Sequence, residues 1–179
     1  MSDSSKNIVE FTLIYNQNKG KLYNYARKMI SDRMVCEDII QNVFLKFFEN
    51  MYRIKNRERV EVWLFTTTRN AIFTFFRNKK THVDQFGVAD ADEMEIKDNK
   101  SLSDEYENVE LKEMITKELE TMAPEQSEIF LLKEYGGLSY KEIANVMNID
   151  EELVKSRLYK TRQKLIDKLS KVIMNERQL

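Results

Sequence analysis

The sequence predicts an all-α protein made of two small helical domains joined by a flexible acidic linker. Turn-forming residues are rare, because the 179 residues include only four Gly and one Pro. Apolar residues recur at spacings of three and four along most of the chain, as they do on the buried face of a helix. Charge is distributed unevenly and marks the break between the domains, the second of which has the pattern of a helix-turn-helix.

The composition excludes several classes of protein. No apolar run approaches the roughly 18 residues of a membrane span and no signal-peptide pattern is present, so we expect a cytoplasmic protein without membrane insertion. Cys36 and His82 are the only residues of their types, which leaves no internal disulfide, no usual zinc ligand set and no Cys-His catalytic pair. We therefore expect no catalytic activity, no metal and no cofactor, and interpret Cys36 as a small core residue.

Two helices are predicted before residue 51. The first covers residues 8–30, and its apolar side consists of Phe11, Leu13, Ile14, Leu22, Ala26 and Met29, with Gly20 as a point of interruption. The second covers residues 35–50, and its core face consists of Ile40, Val43, Phe44 and Phe47. An outward row on the second helix contains Asp38, Gln41, Asn42 and Leu45. This outward row is either a solvated face or a docking face for a protein partner.

The third predicted helix, residues 61–80, interleaves aromatic and basic side chains. Leu64, Ala71, Ile72 and Phe75 fill a core face. Arg69, Phe73 and Arg77 then step along a second face at intervals of four residues, followed by Lys80. Cations hold a phosphate backbone and aromatic rings stack on unpaired bases, so this face suits single-stranded DNA. Core packing with a solvated rim is the alternative.

Charge separates the chain into three segments. Residues 1–80 carry 15 cations and 8 acids, residues 81–110 carry 2 and 10, and residues 111–179 carry 12 of each. The middle segment is also poor in large apolar residues, which predicts a mobile linker. We place the domains at residues 1–81 and 111–179, with the acidic linker at residues 82–110.

A helix-turn-helix is predicted near the C-terminus. Ser139 is placed to cap its first helix, with Glu142 as the reciprocal partner, and Asp150 can cap its second helix. On the second helix, residues 151–165, an inward stripe consists of Val154, Leu158, Thr161 and Leu165. Hydroxyl and basic side chains face outward, which suits a DNA major groove flanked by phosphates. An ordinary helical hairpin with a solvated basic face is the alternative.

Five short motifs match one known family. They are EDIIQNVF at residues 37–44, WLF at 63–65 followed by Arg69-Asn70, PEQ at 124–126, LSYKEIA at 138–144 and VKSRL at 154–158. Their order and spacing resemble the extracytoplasmic-function (ECF) sigma factors of bacterial RNA polymerase, over almost the whole chain. In that family the first domain binds the polymerase clamp and the minus-ten promoter element, and the second binds the minus-thirty-five element. The resemblance implies a factor that directs core polymerase to promoters and assists DNA melting.

The resemblance implies three sets of binding residues. The polymerase-binding set is Asp38, Gln41, Asn42 and Leu45. The minus-ten set is Arg53, Lys55, Asn56, Arg57, Trp63, Arg69, Asn70, Phe73 and Arg77. The minus-thirty-five set is Ser139, Lys155, Ser156, Arg157, Tyr159, Lys160 and Arg162. The implied partners are core RNA polymerase, promoter DNA as duplex and as melted single strand, and an anti-sigma factor of the kind that restrains many family members.

Two features depart from the family pattern. Asn42 stands where the family commonly has Glu, and Glu151 and Glu152 occupy the first turn of the recognition helix. These two carboxylates either stabilise the helix N-terminus or accept hydrogen bonds from cytosine amino groups.

Two other functions remain open from the residues alone. A free-standing helix-turn-helix regulator would bind duplex operators as a dimer, but it has no need of an aromatic face for unpaired bases. A protein-binding helical adaptor would leave the basic last helix unexplained.

Overall fold

The structure of the chain is a computed structural model that describes the backbone of residues 3–54, 56, 58–86 and 104–176, with side chains for residues 5–54, 56, 59–80 and 111–171. In chain order its elements are α1 (Asp3–Met29), α2 (Arg33–Asn50), a 3-10 turn (Met51–Arg53), α3 (Glu58–Phe86), α4 (Asp104–Glu120), α5 (Pro124–Glu134), α6 (Tyr140–Met147) and α7 (Glu151–Glu176). No strand occurs among the residues described. The all-α fold class is therefore confirmed.

Helices α1, α2 and α3 pack on one another and form the N-terminal unit. The predicted core stripe of α2 is confirmed, because all four of its residues are buried. At the centre of this unit, the Phe47 ring lies 6.2 Å from the ring of Phe11 on α1 and 5.9 Å from that of Trp63 on α3. One aromatic side chain of α2 thus joins the three helices.

Two expectations for α1 were wrong. The helix continues through Gly20 without interruption. Leu13, assigned to the apolar side, is 56% exposed. Leu13 precedes the buried Leu22 by nine residues, and at about 100° per residue this separation places the two side chains on opposite sides of the helix.

Helices α4 to α7 form the C-terminal unit, whose last two helices are the predicted helix-turn-helix. Ser139 and Glu142 form the expected capping box, which fixes the start of α6. Asn148 ends α6 in the left-handed conformation, with φ of 54°. The predicted inward stripe of α7 is buried throughout, as both the helix-turn-helix and the ordinary helical hairpin require.

The two units pack directly against each other, and their buried residues form one continuous apolar cluster. Helix α3 contacts α6, and α1 contacts α5. Gly136, between α5 and α6, is buried so close to Phe65 of α3 that an added Cβ would lie 2.9 Å from the ring. Lys28 of α1 places its ammonium nitrogen 4.8 Å from the Tyr135 ring centroid. The residues before and after the linker therefore share an interface.

Helices extend into both ends of the predicted linker. Helix α3 continues to Phe86, and α4 begins at Asp104. The rest of the predicted linker, residues 87–103, lies outside the described residues.

Candidate polymerase and DNA interfaces

The start of α2 is fixed by its N-cap residue, Asp32. The Asp32 carboxylate accepts hydrogen bonds from the backbone nitrogens of Met34 at 2.8 Å and Val35 at 3.1 Å. Such a cap satisfies amide groups that the first turn of a helix leaves without partners. The cap fixes where α2 begins, and the buried stripe sets which side of the helix faces solvent.

All four residues of the predicted polymerase-binding set lie on one exposed side of α2. The Asn42 amide donates to the Asp38 carboxylate at 3.1 Å. Leu45 is 57% exposed and is the apolar member of this otherwise polar set. Met34 and Glu49 are also exposed, and at about 100° per residue both fall on the same side as this row. Sequence reasoning missed Met34 because it precedes residue 35, where the predicted helix began.

The aromatic and basic face of α3 is organised around Arg69. The guanidinium carbon of Arg69 lies 4.7 Å from the Phe73 ring centroid, within the range of a cation–π contact. Phe73 is 43% exposed, and Asn70 and Arg77 also lie at the surface. Phe76 is also exposed. It follows Arg69 by seven residues, which at about 100° per residue places it about 20° from Arg69 around the axis of α3. Sequence reasoning did not include Phe76 in the minus-ten set.

The remaining residues of the minus-ten set are distributed around the start of α3. Trp63 is half-buried and contributes its ring to the core beside Phe47. The guanidinium of Arg53 lies 5.3 Å from the Tyr52 ring centroid. The Asn56 carbonyl accepts a hydrogen bond from the Arg59 nitrogen at 3.0 Å. Lys55 and Arg57 lie outside the described residues.

The spacing of the basic residues predicted that Arg69 projects freely from α3. This prediction was wrong, because Arg69 is paired with Glu128. Its Nε donates to Glu128 Oε1 at 2.6 Å, and its Nη2 donates to Glu128 Oε2 at 3.1 Å. The side chain of Arg69 is 26% exposed and that of Glu128 only 4%. This bidentate ion pair joins α3 of the N-terminal unit to α5 of the C-terminal unit. Its partners are 59 residues apart in sequence, so local spacing could not reveal it.

Tyr25 of α1 completes the same buried cluster. Its hydroxyl donates to Glu128 Oε1 at 3.1 Å. Burial, and then the negative charge of Glu128, raise the pKa of Tyr25 well above its usual value. The hydrogen bond to Glu128 raises the pKa of Arg69. The tyrosine thus stays a neutral donor and the arginine stays charged.

The outward face of α7 is basic and exposed, as predicted. Lys155, Ser156, Tyr159 and Lys160 lie at the surface, and Arg157 and Arg162 are half-buried. Arg162 Nη2 donates to Glu134 Oε1 of α5 at 2.6 Å. The Ser139 hydroxyl donates to Glu142 Oε2 at 2.6 Å and accepts from the Glu142 nitrogen at 3.2 Å. Ser139 therefore uses its hydroxyl to hold the first turn of α6.

Glu151 and Glu152 have a nearby cationic partner in Lys155. The Lys155 ammonium lies 2.8 Å from Glu152 Oε1 and 3.3 Å from Glu151 Oε1. Hydrogen bonds to Glu152 and then to Glu151 raise the pKa of Lys155. The two carboxylates partly neutralise the first cation of the recognition helix, a role that sequence reasoning did not consider.

We predict that replacing Glu151 and Glu152 together with Gln raises the affinity of the chain for mixed-sequence duplex DNA. Lys155 would be released to contact phosphate, so the slope of log affinity against log salt should become steeper by about 0.9. The measurement is a binding titration at several salt concentrations. The matched control replaces Glu113 and Glu120 of α4, two exposed acids, with Gln. Equal changes in both variants would mean that only net charge matters, and a relaxed preference at one base pair would mean that a carboxylate reads a base.

Neither a metal site nor a membrane span is found in the parts of the chain that the structure describes. No group of three or more His, Cys, Asp and Glu residues there is arranged to hold a metal ion. No described helix is long and apolar enough to cross a membrane. Cys36 is buried, as predicted, and burial raises the pKa of its thiol to about 11.

Two family descriptions match the chain. The family described as Sigma-70 region 2 matches residues 14–82, and the family described as Sigma-70, region 4 matches residues 112–165. The first match contains all of α2 and most of α3. The second match contains α6 and the first part of α7, which form the helix-turn-helix. The matches are separated by nearly the same residues that the charge distribution assigned to the linker.

Characterised relatives are similar over most of their length. The ECF RNA polymerase sigma factor SigM of Bacillus subtilis is 28% identical over 152 residues, which cover 85% of this chain and 90% of that protein. The ECF sigma factor SigX of the same organism is 26% identical over 151 residues, with 82% and 76% covered.

Solved structures share the fold. One is the sigma factor RpoE of Bartonella quintana in complex with the anti-sigma factor NepR, at a TM-score of 0.66 and 22% identity, covering 95% of this chain and 98% of that one. Another is CnrH in complex with the cytosolic domain of CnrY, at a TM-score of 0.63 and 18% identity, covering 89% and 87%.

Proposed function

The chain belongs to the extracytoplasmic-function group of sigma-70 RNA polymerase sigma factors, and we propose that its N-terminal unit binds core polymerase and the melted minus-ten element while its C-terminal unit binds the minus-thirty-five element. Sigma factors of this family are transcription initiation factors. The operator-binding regulator is not favoured, because both sigma regions are matched in one chain.

One observation carries this proposal: two different surfaces suited to DNA occur in a single chain. The α3 face combines Arg69 with exposed aromatic rings, as expected for unpaired bases. The α7 face presents cations and hydroxyls from a helix-turn-helix, as expected for a duplex major groove. A factor that recognises duplex and opens it requires both surfaces.

The polymerase-binding surface in this proposal is the exposed side of α2. It contains Asp38, Gln41, Asn42 and Leu45, together with Met34 and Glu49. An exposed apolar residue surrounded by polar ones is the arrangement that protein interfaces use. The set is supported by its shared face and by the family match, and it is tested by substitution below.

A partner that restrains the chain is also part of the proposal. Both structural neighbours were solved in complex with a second protein, which is described as the anti-sigma factor NepR in one case and as the cytosolic domain of CnrY in the other. We infer that an anti-sigma factor of similar kind binds this chain, and that the chain acts in the cytoplasm with the polymerase.

The test is reconstitution with core bacterial RNA polymerase. We expect the chain to co-migrate with core polymerase in gel filtration, and the complex to transcribe from a closed promoter template as well as from one with a pre-opened bubble. A chain that binds duplex DNA as a dimer but does not co-migrate with polymerase would contradict the proposal.

A further inference from the structure

We propose that Glu128 is an intramolecular latch that holds the free chain closed by occupying Arg69, and that Arg69 must exchange this carboxylate for nucleic-acid phosphate when the chain engages a promoter. This inference rests on the proposed function, because it assigns a regulatory role to a residue of the minus-ten set. The latch consists of Arg69, Glu128 and Tyr25.

The Arg69 guanidinium can bind Glu128 or a phosphate, but not both at once. A guanidinium offers paired donors that fit a carboxylate or a phosphate equally well. Here two of these donors, Nε and Nη2, bind the Glu128 carboxylate oxygens at 2.6 and 3.1 Å. The Phe73 ring covers Arg69 from a third direction. In the closed chain, the Arg69 guanidinium is thus engaged with the protein itself, while the Phe73 ring remains partly exposed.

Glu128 is buried where α5 packs against the N-terminal unit. Its side chain is 4% exposed, and its oxygens accept from Arg69 and Tyr25 of the opposite unit. A buried carboxylate needs such partners, because an unpaired buried charge is strongly unfavourable. The carboxylate therefore specifies one docking register for α5 against α1 and α3.

The ion pair contributes little net free energy to closing the chain. In a buried ion pair, the attraction between the charges is largely offset by the loss of their hydration. Separating the units would return both groups to water, so the latch specifies the geometry of the closed state, and the cost of opening comes mainly from the apolar surface that the units share. A competing phosphate for Arg69 then shifts the population toward the open chain.

The test measures the separation of the two units and the availability of Arg69. Fluorophores are attached to Ser31→Cys and Asn145→Cys, which replace exposed residues of the N-terminal and C-terminal units. The native Cys36 is buried with a raised pKa of about 11, so it does not compete for labelling at neutral pH. Energy transfer between the labels reports closure, and a short mixed-sequence single-stranded oligonucleotide probes Arg69.

We expect Glu128→Gln to lower energy transfer in the free chain and to raise oligonucleotide affinity by about tenfold, the ratio that corresponds to one lost charge-assisted hydrogen bond. Glu125→Gln is the matched control, because it makes the same change at an exposed position of the same helix. Core polymerase should lower energy transfer in the unsubstituted chain. Tyr25→Phe, which removes only the hydroxyl hydrogen bond, should act in the same direction as Glu128→Gln but less.

The latch is overturned if Glu128→Gln and Glu125→Gln show the same energy transfer and the same affinity. If Glu128→Gln loses helicity, the decision passes to Tyr25→Phe and to the response of the unsubstituted chain: no change in either overturns the latch. Failure of the proposed function looks different, because the unsubstituted chain would then neither co-migrate with polymerase nor support transcription, whatever the labels report.

Discussion

Replacing Leu45 with Ala is expected to weaken assembly with core polymerase by about tenfold. Leu45 is the exposed apolar residue of the outward row of α2, at 57%. Burying the rest of a leucine side chain at an interface contributes about 1 to 2 kcal/mol, and about 1.4 kcal/mol corresponds to a tenfold change in the dissociation constant. More than half of the side chain is already exposed in the free chain, so the thermal unfolding midpoint should move little. Titration of labelled core polymerase with the variant measures the effect.

Leu13→Ala is the matched control for this experiment. Leu13 is the same residue type with almost the same exposure, 56%, but it lies on α1. We expect it to leave assembly unchanged. Equal losses for both leucines would indicate a general requirement for surface apolar area, and unchanged assembly with Leu45→Ala would remove α2 from the docking proposal.

Replacing Phe73 with Ala is expected to reduce transcription from a closed promoter by roughly five- to hundredfold, and to reduce transcription from a pre-opened bubble much less. One aromatic side chain stacked on an unpaired base contributes about 1 to 3 kcal/mol, and that contribution favours opening. Phe73 is preferable to Arg69 for this test, because removing Arg69 would also leave Glu128 buried without its main partner. Run-off transcription on the two templates gives the ratio.

The control for Phe73 is Phe48→Ala, a phenylalanine of α2 that is 45% exposed where Phe73 is 43%. It should change the two templates by the same factor, since it lies on α2, where its ring packs against Phe11, and is not part of the proposed single-strand face of α3. If Phe73→Ala also reduced both templates equally, Phe73 would serve packing or general affinity instead of opening.

Local pattern was sufficient to predict much of the fold. Helical periodicity identified the buried stripes of α2 and α7, and the spacing of Ser139 and Glu142 identified the cap of α6. These features depend on residues within one or two turns of each other, which sequence shows directly. The exposure of Leu13 was also encoded in the pattern, since it lies opposite Leu22 on a helical wheel.

Contacts between residues far apart in the sequence could not be predicted from local sequence patterns. The spacing of Arg69, Phe73 and Arg77 predicted one outward face, but the partner of Arg69 comes from a helix in the other unit. Nothing near Glu128 distinguishes it from an ordinary surface acid, because its burial depends on how the two units dock. The pairing of Lys155 with Glu151 and Glu152 is different, because its spacings of four and three residues are local and could have been read from the sequence.

The most direct test of the central claim is to map where transcripts begin. Core polymerase is incubated with fragmented genomic DNA of the organism that encodes the chain, with and without the chain, and the 5′ ends of the RNA are sequenced. We expect discrete start sites that appear only with the chain, each preceded by two shared sequence elements at constant spacing. Start sites that are the same with and without the chain would contradict it.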